Sequence, residues 1–150
     1  MEKFENSAEI LNFAIKREIE AHDFYTNLAK KMSNSAMKQT FEQFAIEEMG
    51  HKMKLEAVKA GEVSLASEKV TSLGIADYVV EGKAEKEMDY GQALILAMNK
   101  EKAAFKLYLD LADAAENQEL KNTFLALAQE EAKHKLRFEL EYDENVLKED

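Results

Sequence analysis

Seven-residue steps connect Leu11, Glu18 and Tyr25, and likewise Phe41, Glu48 and Leu55. The same step connects Leu94, Glu101 and Tyr108, and then Phe124, Glu131 and Phe138. Seven residues are nearly two turns of an α-helix, so each trio occupies one stripe of a helix surface. In every trio a glutamate sits in the middle of a stripe that is otherwise apolar or aromatic and should face a core. The surrounding periodicity predicts helices over about 7–32, 34–60, 90–115 and 118–142. Asn6 or Ser7 can cap the first, and Ser33-Asn34-Ser35 supplies a turn and the next cap. The second carries Phe41, Phe44, Ala45, Leu55 and Val58 at helical spacing and should stop near Gly61. Glu116-Asn117-Gln118 is the turn between the last two helices.

The chain is two copies of this helical hairpin. A shift of 83 residues aligns Ala14–Glu56 with Ala97–Glu139, with sixteen of forty-three positions identical. The identities include Glu18/Glu101, Ala21/Ala104, Tyr25/Tyr108, Phe41/Phe124, Glu48/Glu131 and His51/His134. Shared composition would match some alanines and glutamates, but not both histidines and both of these tyrosines in register. Residues 61–89 connect the copies and are too long for a tight turn, which suits a crossover along a bundle. Ile75–Val80 is its one apolar patch, expected as a short helix or extended segment lying on the bundle. The expected fold is all-α: a four-helix bundle of two antiparallel hairpins forming one domain over 1–150.

Composition narrows the chemistry. Proline is absent and glycine occurs five times, in keeping with long uninterrupted helices. A net charge of −10 argues against nucleic acid as a partner. No apolar run approaches the ~20 residues that span a bilayer, and the first residues carry no signal-peptide pattern, so no membrane role and a cytoplasmic location are expected. With no cysteine, thiolate metal sites, Fe–S clusters and thiol nucleophiles are excluded.

The four stripe glutamates belong at one height. Glu18 precedes Ser33 by fifteen residues and Glu48 follows it by fifteen; Glu101 and Glu131 flank Glu116 in the same way. In antiparallel hairpins folded at these turns, all four carboxyls lie roughly 22 Å from their turn at 1.5 Å per residue. His51 and His134 each follow a glutamate by three and share its face. Four carboxylates inside a bundle cost several kcal/mol each, as an order of magnitude, unless compensated. Arg17 and Arg137 are the only arginines, too few to do so, and the lysines lie mainly off the stripes. Two divalent cations would balance four glutamates and two neutral histidines. Carboxylate and imidazole donors without thiolate suit iron or manganese. One glutamate from each of two helices and a Glu-x-x-His from each of the others is a di-metal carboxylate bundle's arrangement.

Other readings of these residues are blander. Glu47 and Glu130 also repeat and precede the histidines by four, but their stripe is polar and favours salt bridges or contacts behind the ligands. Glu20 has Ala103 as its repeat partner and is expected in solvent; His22 has Phe105 and is expected at the boundary or surface. Tyr25 and Tyr108 are core aromatics whose hydroxyls need partners, for which a ligand carboxylate on an opposing helix is suited. Met32, Met37, Met49, Met53 and Met98 are read as core filler.

Glu18-Ile-Glu-Ala21-His-Asp-Phe-Tyr25 with Glu48-Met-Gly-His51 resembles the rubrerythrin and bacterioferritin branch of the ferritin-like superfamily. So does Glu101-Lys-Ala-Ala104-Phe-Lys-Leu-Tyr108 with Glu131-Ala-Lys-His134, and the resemblance spans nearly all of the chain except the crossover. It implies a ferritin-like bundle in which Glu48 and Glu131 bridge two iron ions, Glu18 and His51 completing one and Glu101 and His134 the other. Manganese or zinc are possible substitutes. It further implies reaction with O₂ or H₂O₂, of ferroxidase or peroxide-reducing type, and a homodimer. The chain departs from rubrerythrins in lacking the cysteine-ligated rubredoxin module, so electrons are expected from a separate donor protein. Ala104 stands where rubrerythrins usually place an extra glutamate, which weakens the expectation of metal movement and efficient peroxidase chemistry. Iron storage or buffering, and a metal-stabilised interaction module without turnover, are the alternatives.

Overall fold

The computed structural model describes residues 2–61, 64–80 and 88–147. Four long helices dominate: α1 (Ser7–Lys30), α2 (Ser35–Ala60), α4 (Tyr90–Ala114) and α5 (Gln118–Tyr142), with a short α3 (Ser67–Val70) between the hairpins. α1 packs along α2 and α4 along α5, and the two hairpins face each other to close a ferritin-like four-helix bundle. A 3₁₀ turn at Ile75–Tyr78 and a π-helical turn at Asp143–Leu147 complete the described elements.

The helices begin where side chains satisfy their first backbone N–H groups. Asn6 Oδ1 accepts from Glu9 N, and Asn34 Oδ1 from Ala36 N and Met37 N. Asn117 Oδ1 accepts from Leu120 N, so the repeat-related Asn34 and Asn117 open the second helix of each hairpin. Asp89 and Gln92 form a reciprocal capping box at the start of α4. α1 ends at Lys30, two residues short of the expected 32. Lys31 and Met32 donate to Leu28, Ala29 and Ala29 again in a tightening last turn, which frees the chain for the Asn34 cap. α4 stops one residue early, at Ala114, because Ala115 turns extended and pairs with Leu65 of the crossover.

The apolar stripes meet in the interior, in two clusters on either side of the glutamate level. Leu11, Leu55, Tyr108, Leu111 and Phe124 lie in one; Tyr25, Leu28, Phe41, Leu94 and Phe138 in the other. Met37 joins the core, but Met53 does not: it is 67% exposed. Five residues beyond Glu48 rotate its side chain about 140° from the ligand stripe, which corrects its reading as filler.

The crossover follows the outside of the bundle. Ala66 N donates to Ala114 O and Glu116 N to Ser64 O, each at 2.8 Å, tying it to the end of α4. Tyr78 is buried against Phe4 and Phe13, and its hydroxyl donates to Asp110 Oδ2 at 2.6 Å. Part of the apolar patch read as a helix or extended segment is thus the 3₁₀ turn. The parts of the 61–89 connection at 62–63 and 81–87 lie outside the described residues. Among the described residues no helix is long and apolar enough to cross a membrane.

Candidate metal centre

Helical pairing brings Glu18, Glu48, His51, Glu101, Glu131 and His134 to one level, one position from each of α1 and α4 and two from each of α2 and α5. None is more than 4% exposed, in an interior otherwise made of aliphatic and aromatic side chains. Their donor atoms form two groups, each with all atoms within 4.8 Å of one another. Glu18, Glu48, His51 and Glu131 make the first; Glu48, Glu101, Glu131 and His134 make the second. Glu48 and Glu131 belong to both.

The histidines point a single nitrogen inward. His51 Nδ1 is 2.7 Å from Glu131 Oε1, 3.3 Å from Glu48 Oε1 and 3.4 Å from Glu18 Oε2. His134 Nδ1 is 3.5 Å from Glu48 Oε1 and 3.7 Å from Glu101 Oε1. The two rings lie nearly parallel, with centroids 6.4 Å apart. On its outer edge His134 Nε2 is 3.2 Å from Glu47 Oε1, which favours a proton there and leaves Nδ1 as a lone-pair donor. Phe44 stacks on the His134 ring at 4.0 Å and holds its plane.

The tyrosines brace the other two glutamates crosswise. Tyr25 on α1 donates its hydroxyl to Glu101 Oε1 on α4, and Tyr108 on α4 donates to Glu18 Oε1 on α1. Burial first, then the surrounding carboxylates, raises both phenols well above their ordinary range, so they remain donors. Each bond fixes one oxygen of a carboxylate and leaves the other, Glu18 Oε2 or Glu101 Oε2, buried without a hydrogen bond.

The chemistry of the bare site is that of carboxylates forced together. Burial, followed by the nearby Glu101 and Glu18, pushes Glu48 up to about 8. Burial and then Glu101, Glu48 and Glu18 raise Glu131 well above the carboxylate range. Burial opposes ionisation of Glu101 too, but the closeness of Glu131 and His134 holds it below its ordinary value. Burial works against charge on His51, yet Glu18 and Glu48 lift it to about 10; Glu101, Glu48 and Glu47 lift His134 to about 9 against the same penalty.

Protons alone leave much unsatisfied. Glu18 Oε2, Glu48 Oε1, Glu101 Oε2, both oxygens of Glu131 and both histidine Nδ1 atoms are buried with no hydrogen-bond partner. Orphaned donors of this kind, all converging and all oxygen or imidazole nitrogen, fit a pair of divalent ions, each drawing on one of the two groups.

The remaining sequence candidates lie outside this cluster. Glu47 braces His134 from behind, whereas Glu130 lines the outer groove between α2 and α5. Glu20 pairs with Arg17 at 3.2 Å and His22 with Asp23 at 3.0 Å, both partly exposed. One buried carboxylate escaped the sequence reading. Glu141 accepts from Tyr90 at 2.9 Å and meets Arg137 at 3.4 Å. Its seven-residue step from His134 along the same stripe was the available signal.

A family model for rubrerythrin matches residues 9–89 and 92–150. The chain belongs to the rubrerythrin family. Among solved structures, this rubrerythrin-family chain is similar to a candidate ferritin-like diiron-carboxylate protein from Thermotoga maritima, at 24% identity and a TM-score of 0.79. That match covers 97% of this chain and 99% of the other. A hypothetical protein from Pyrococcus furiosus matches at 26% identity and a TM-score of 0.69, over 91% of this chain and 87% of the other. A manganese catalase from Anabaena shares the fold at 18% identity and a TM-score of 0.65, over 95% of this chain and 75% of the other. No curated protein sequence matches. The rubrerythrin family and the buried glutamate–histidine cluster together support a non-haem di-metal carboxylate protein.

Proposed function

We propose that the protein holds two iron ions in the six-residue cluster and reacts with O₂ or H₂O₂, as a ferroxidase or a peroxide reductase. The observation that carries this reading is the pair of overlapping donor groups sharing Glu48 and Glu131, with their inward atoms otherwise unpartnered. Glu18 and His51 would complete one ion's ligands, Glu101 and His134 the other's. Two ferrous ions together supply two electrons, which with two protons reduce one hydrogen peroxide to two waters.

The chain's own residues set the conditions for that chemistry. Glu48 and Glu131, shared by both groups, would each hold both ions. Tyr25 and Tyr108 hold Glu101 and Glu18 in one orientation each, so that a carboxylate oxygen stays aimed inward. Glu47 orients His134. Leu, Phe and Ala side chains above and below the ligand level exclude bulk water, which strengthens every charge interaction inside. Electrons for repeated turnover come from a separate donor protein, and the working form is a homodimer.

Manganese is the second reading, favoured by a donor set of hard oxygen and imidazole ligands without thiolate. Metal content of protein purified without added metal decides between the two. Reconstitution with Fe²⁺ should give two irons per chain, oxidised by O₂ or peroxide with a change in visible absorption. Uptake well below two, or ferrous ions that neither oxidant touches, would refute the proposal.

A further inference from the structure

Between α1 and α4 lies a cavity of about 40 Å³ that the metal-holding residues do not explain. At ~10–15 Å³ for each, it has room for about three water-sized molecules. Its inner wall is formed by the ligand carboxylates Glu18, Glu48, Glu101 and Glu131. Ala21 and Ala104, equivalent in the internal repeat, line its sides, and their small side chains leave the space open. Arg17, Lys100 and Glu20 stand at its outer end and are all partly exposed.

The outer residues carry the inference. Arg17 and Lys100 are 83 residues apart, so the relation between the two hairpins places one cation on each side of the opening. Glu20 pairs with the Arg17 guanidinium at 3.2 Å, but Arg17 Nε is buried with no hydrogen-bond partner. Lys100 Nζ lies over the Phe24 ring, 5.5 Å from its centroid, and forms no ion pair among the described residues. Among the described residues at the outer end, two cations stand against one carboxylate, a local positive charge on a chain whose net charge is −10. Such an opening repels a divalent metal ion and attracts a small anion.

We propose that this cavity is a port through which anions of two or three heavy atoms reach the metal centre, with Arg17 and Lys100 attracting them and the alanine pair setting the size limit. Hydrogen peroxide, with two heavy atoms, fits the function proposed above by size, its hydroperoxide form being drawn by charge as well, and the port rests on that reading of the centre. Ala21 and Ala104 admit nothing with a branched or bulky substituent, so peroxides such as tert-butyl hydroperoxide are excluded.

Azide, a linear anion of three heavy atoms, is the probe. Protein loaded with Co²⁺ is titrated with azide and followed through the visible absorption of cobalt, with cobalt stoichiometry measured separately. The wild type should take up two Co²⁺ per chain and respond to azide. Ala104→Leu should take up the same cobalt but lose the azide response. The double variant Arg17→Gln/Lys100→Gln, at partly exposed positions, should keep the helix content and cobalt uptake but weaken azide binding on the order of ten-fold and flatten its salt dependence. A wild type that takes up two cobalt ions while both variants match its azide affinity overturns the port alone. A wild type that takes up none overturns the metal-centre reading, and the port with it.

Discussion

Stripping the metal and raising the pH should unfold this protein from the inside. In the metal-free chain Glu48 is lifted from 4.5 to about 8 by burial and by Glu101 and Glu18. A carboxyl whose folded value lies above its unfolded one holds its proton more tightly when folded. Its contribution is therefore complete below about pH 4.5 and is lost as pH rises through about 8. His51 and His134, lifted from 6.5 to about 10 and about 9 against burial by their carboxylate neighbours, act in the same direction. Their contribution is present below the unfolded value of 6.5 and disappears as pH passes the folded values. Glu101, whose value is depressed, adds stability that is lost only on acidification, outside this range. Between pH 5 and 9 the raised values of Glu48, Glu131, His51 and His134 all push stability downwards as pH rises.

The size of the effect follows from Glu48 alone. At ~1.4 kcal/mol for each tenfold change in proton affinity, its displacement corresponds to about 5 kcal/mol. The histidines share the same partners, so their contributions overlap with this figure rather than add to it. A domain of this size has ~5–15 kcal/mol to lose, and its melting point moves ~2–4 °C per kcal/mol. Chelator-treated protein should thus melt roughly 10 °C or more lower at pH 9 than at pH 5, by circular dichroism at the helical band. Bound divalent ions reverse the slope, since their ligands must be deprotonated and metal affinity rises with pH. Free metal at ~100 times its dissociation constant adds about 2.7 kcal/mol for each site. Metal-free melting curves that coincide from pH 5 to pH 9 would refute the reasoning, because the carboxylates could then not be both buried and mutually repelling.

Three further outcomes are open to direct measurement. Glu131→Gln, which removes a carboxylate common to both donor groups, should abolish binding of both Co²⁺ ions in a spectroscopic titration, whereas Glu18→Gln should leave one ion bound. Tyr25→Phe takes the only hydroxyl from buried Glu101 while keeping the ring packing, and should cost about 1–3 kcal/mol in urea denaturation of the metal-free protein. Phe138→Ala opens the core where Tyr25, Phe41 and Phe44 converge and should cost about 3–5 kcal/mol by the same assay, with no change in metal stoichiometry if the ligand level is braced independently.

The level at which the buried glutamates and histidines meet was legible because two numbers in the chain are geometric. A shift of 83 residues identifies the hairpins as copies, and fifteen residues on each side of a turn put two side chains at equal height on antiparallel helices. Neither depends on tertiary detail, so both survive into the structure. What the sequence hid depends on contacts between distant segments. The placement of Phe4 rests on Phe4 N donating to Leu73 O and Ile75 N donating to Glu2 O, which bind the chain's start to the crossover. α3 and the 3₁₀ turn have four residues each, too few for periodicity to register. The crosswise bracing by Tyr25 and Tyr108 lay between these cases. Register placed both hydroxyls in the core and symmetry demanded equivalent partners, but only packing α1 beside α4 fixes which glutamate each one meets. The same packing explains why the two open faces of the centre differ. Positions 17 and 100 are both basic and flank the α1–α4 side, while positions 47 and 130 are both glutamate and line the α2–α5 side. Lys133 and Arg137 stand beside the two glutamates on the α2–α5 side and balance them, so among the described residues only the outer end of the α1–α4 side keeps an excess of positive charge. Because the two hairpins are related by rotation, each position meets its own equivalent across the axis, so Arg17 and Lys100 share one face while Glu47 and Glu130 share the other with the cations that offset them.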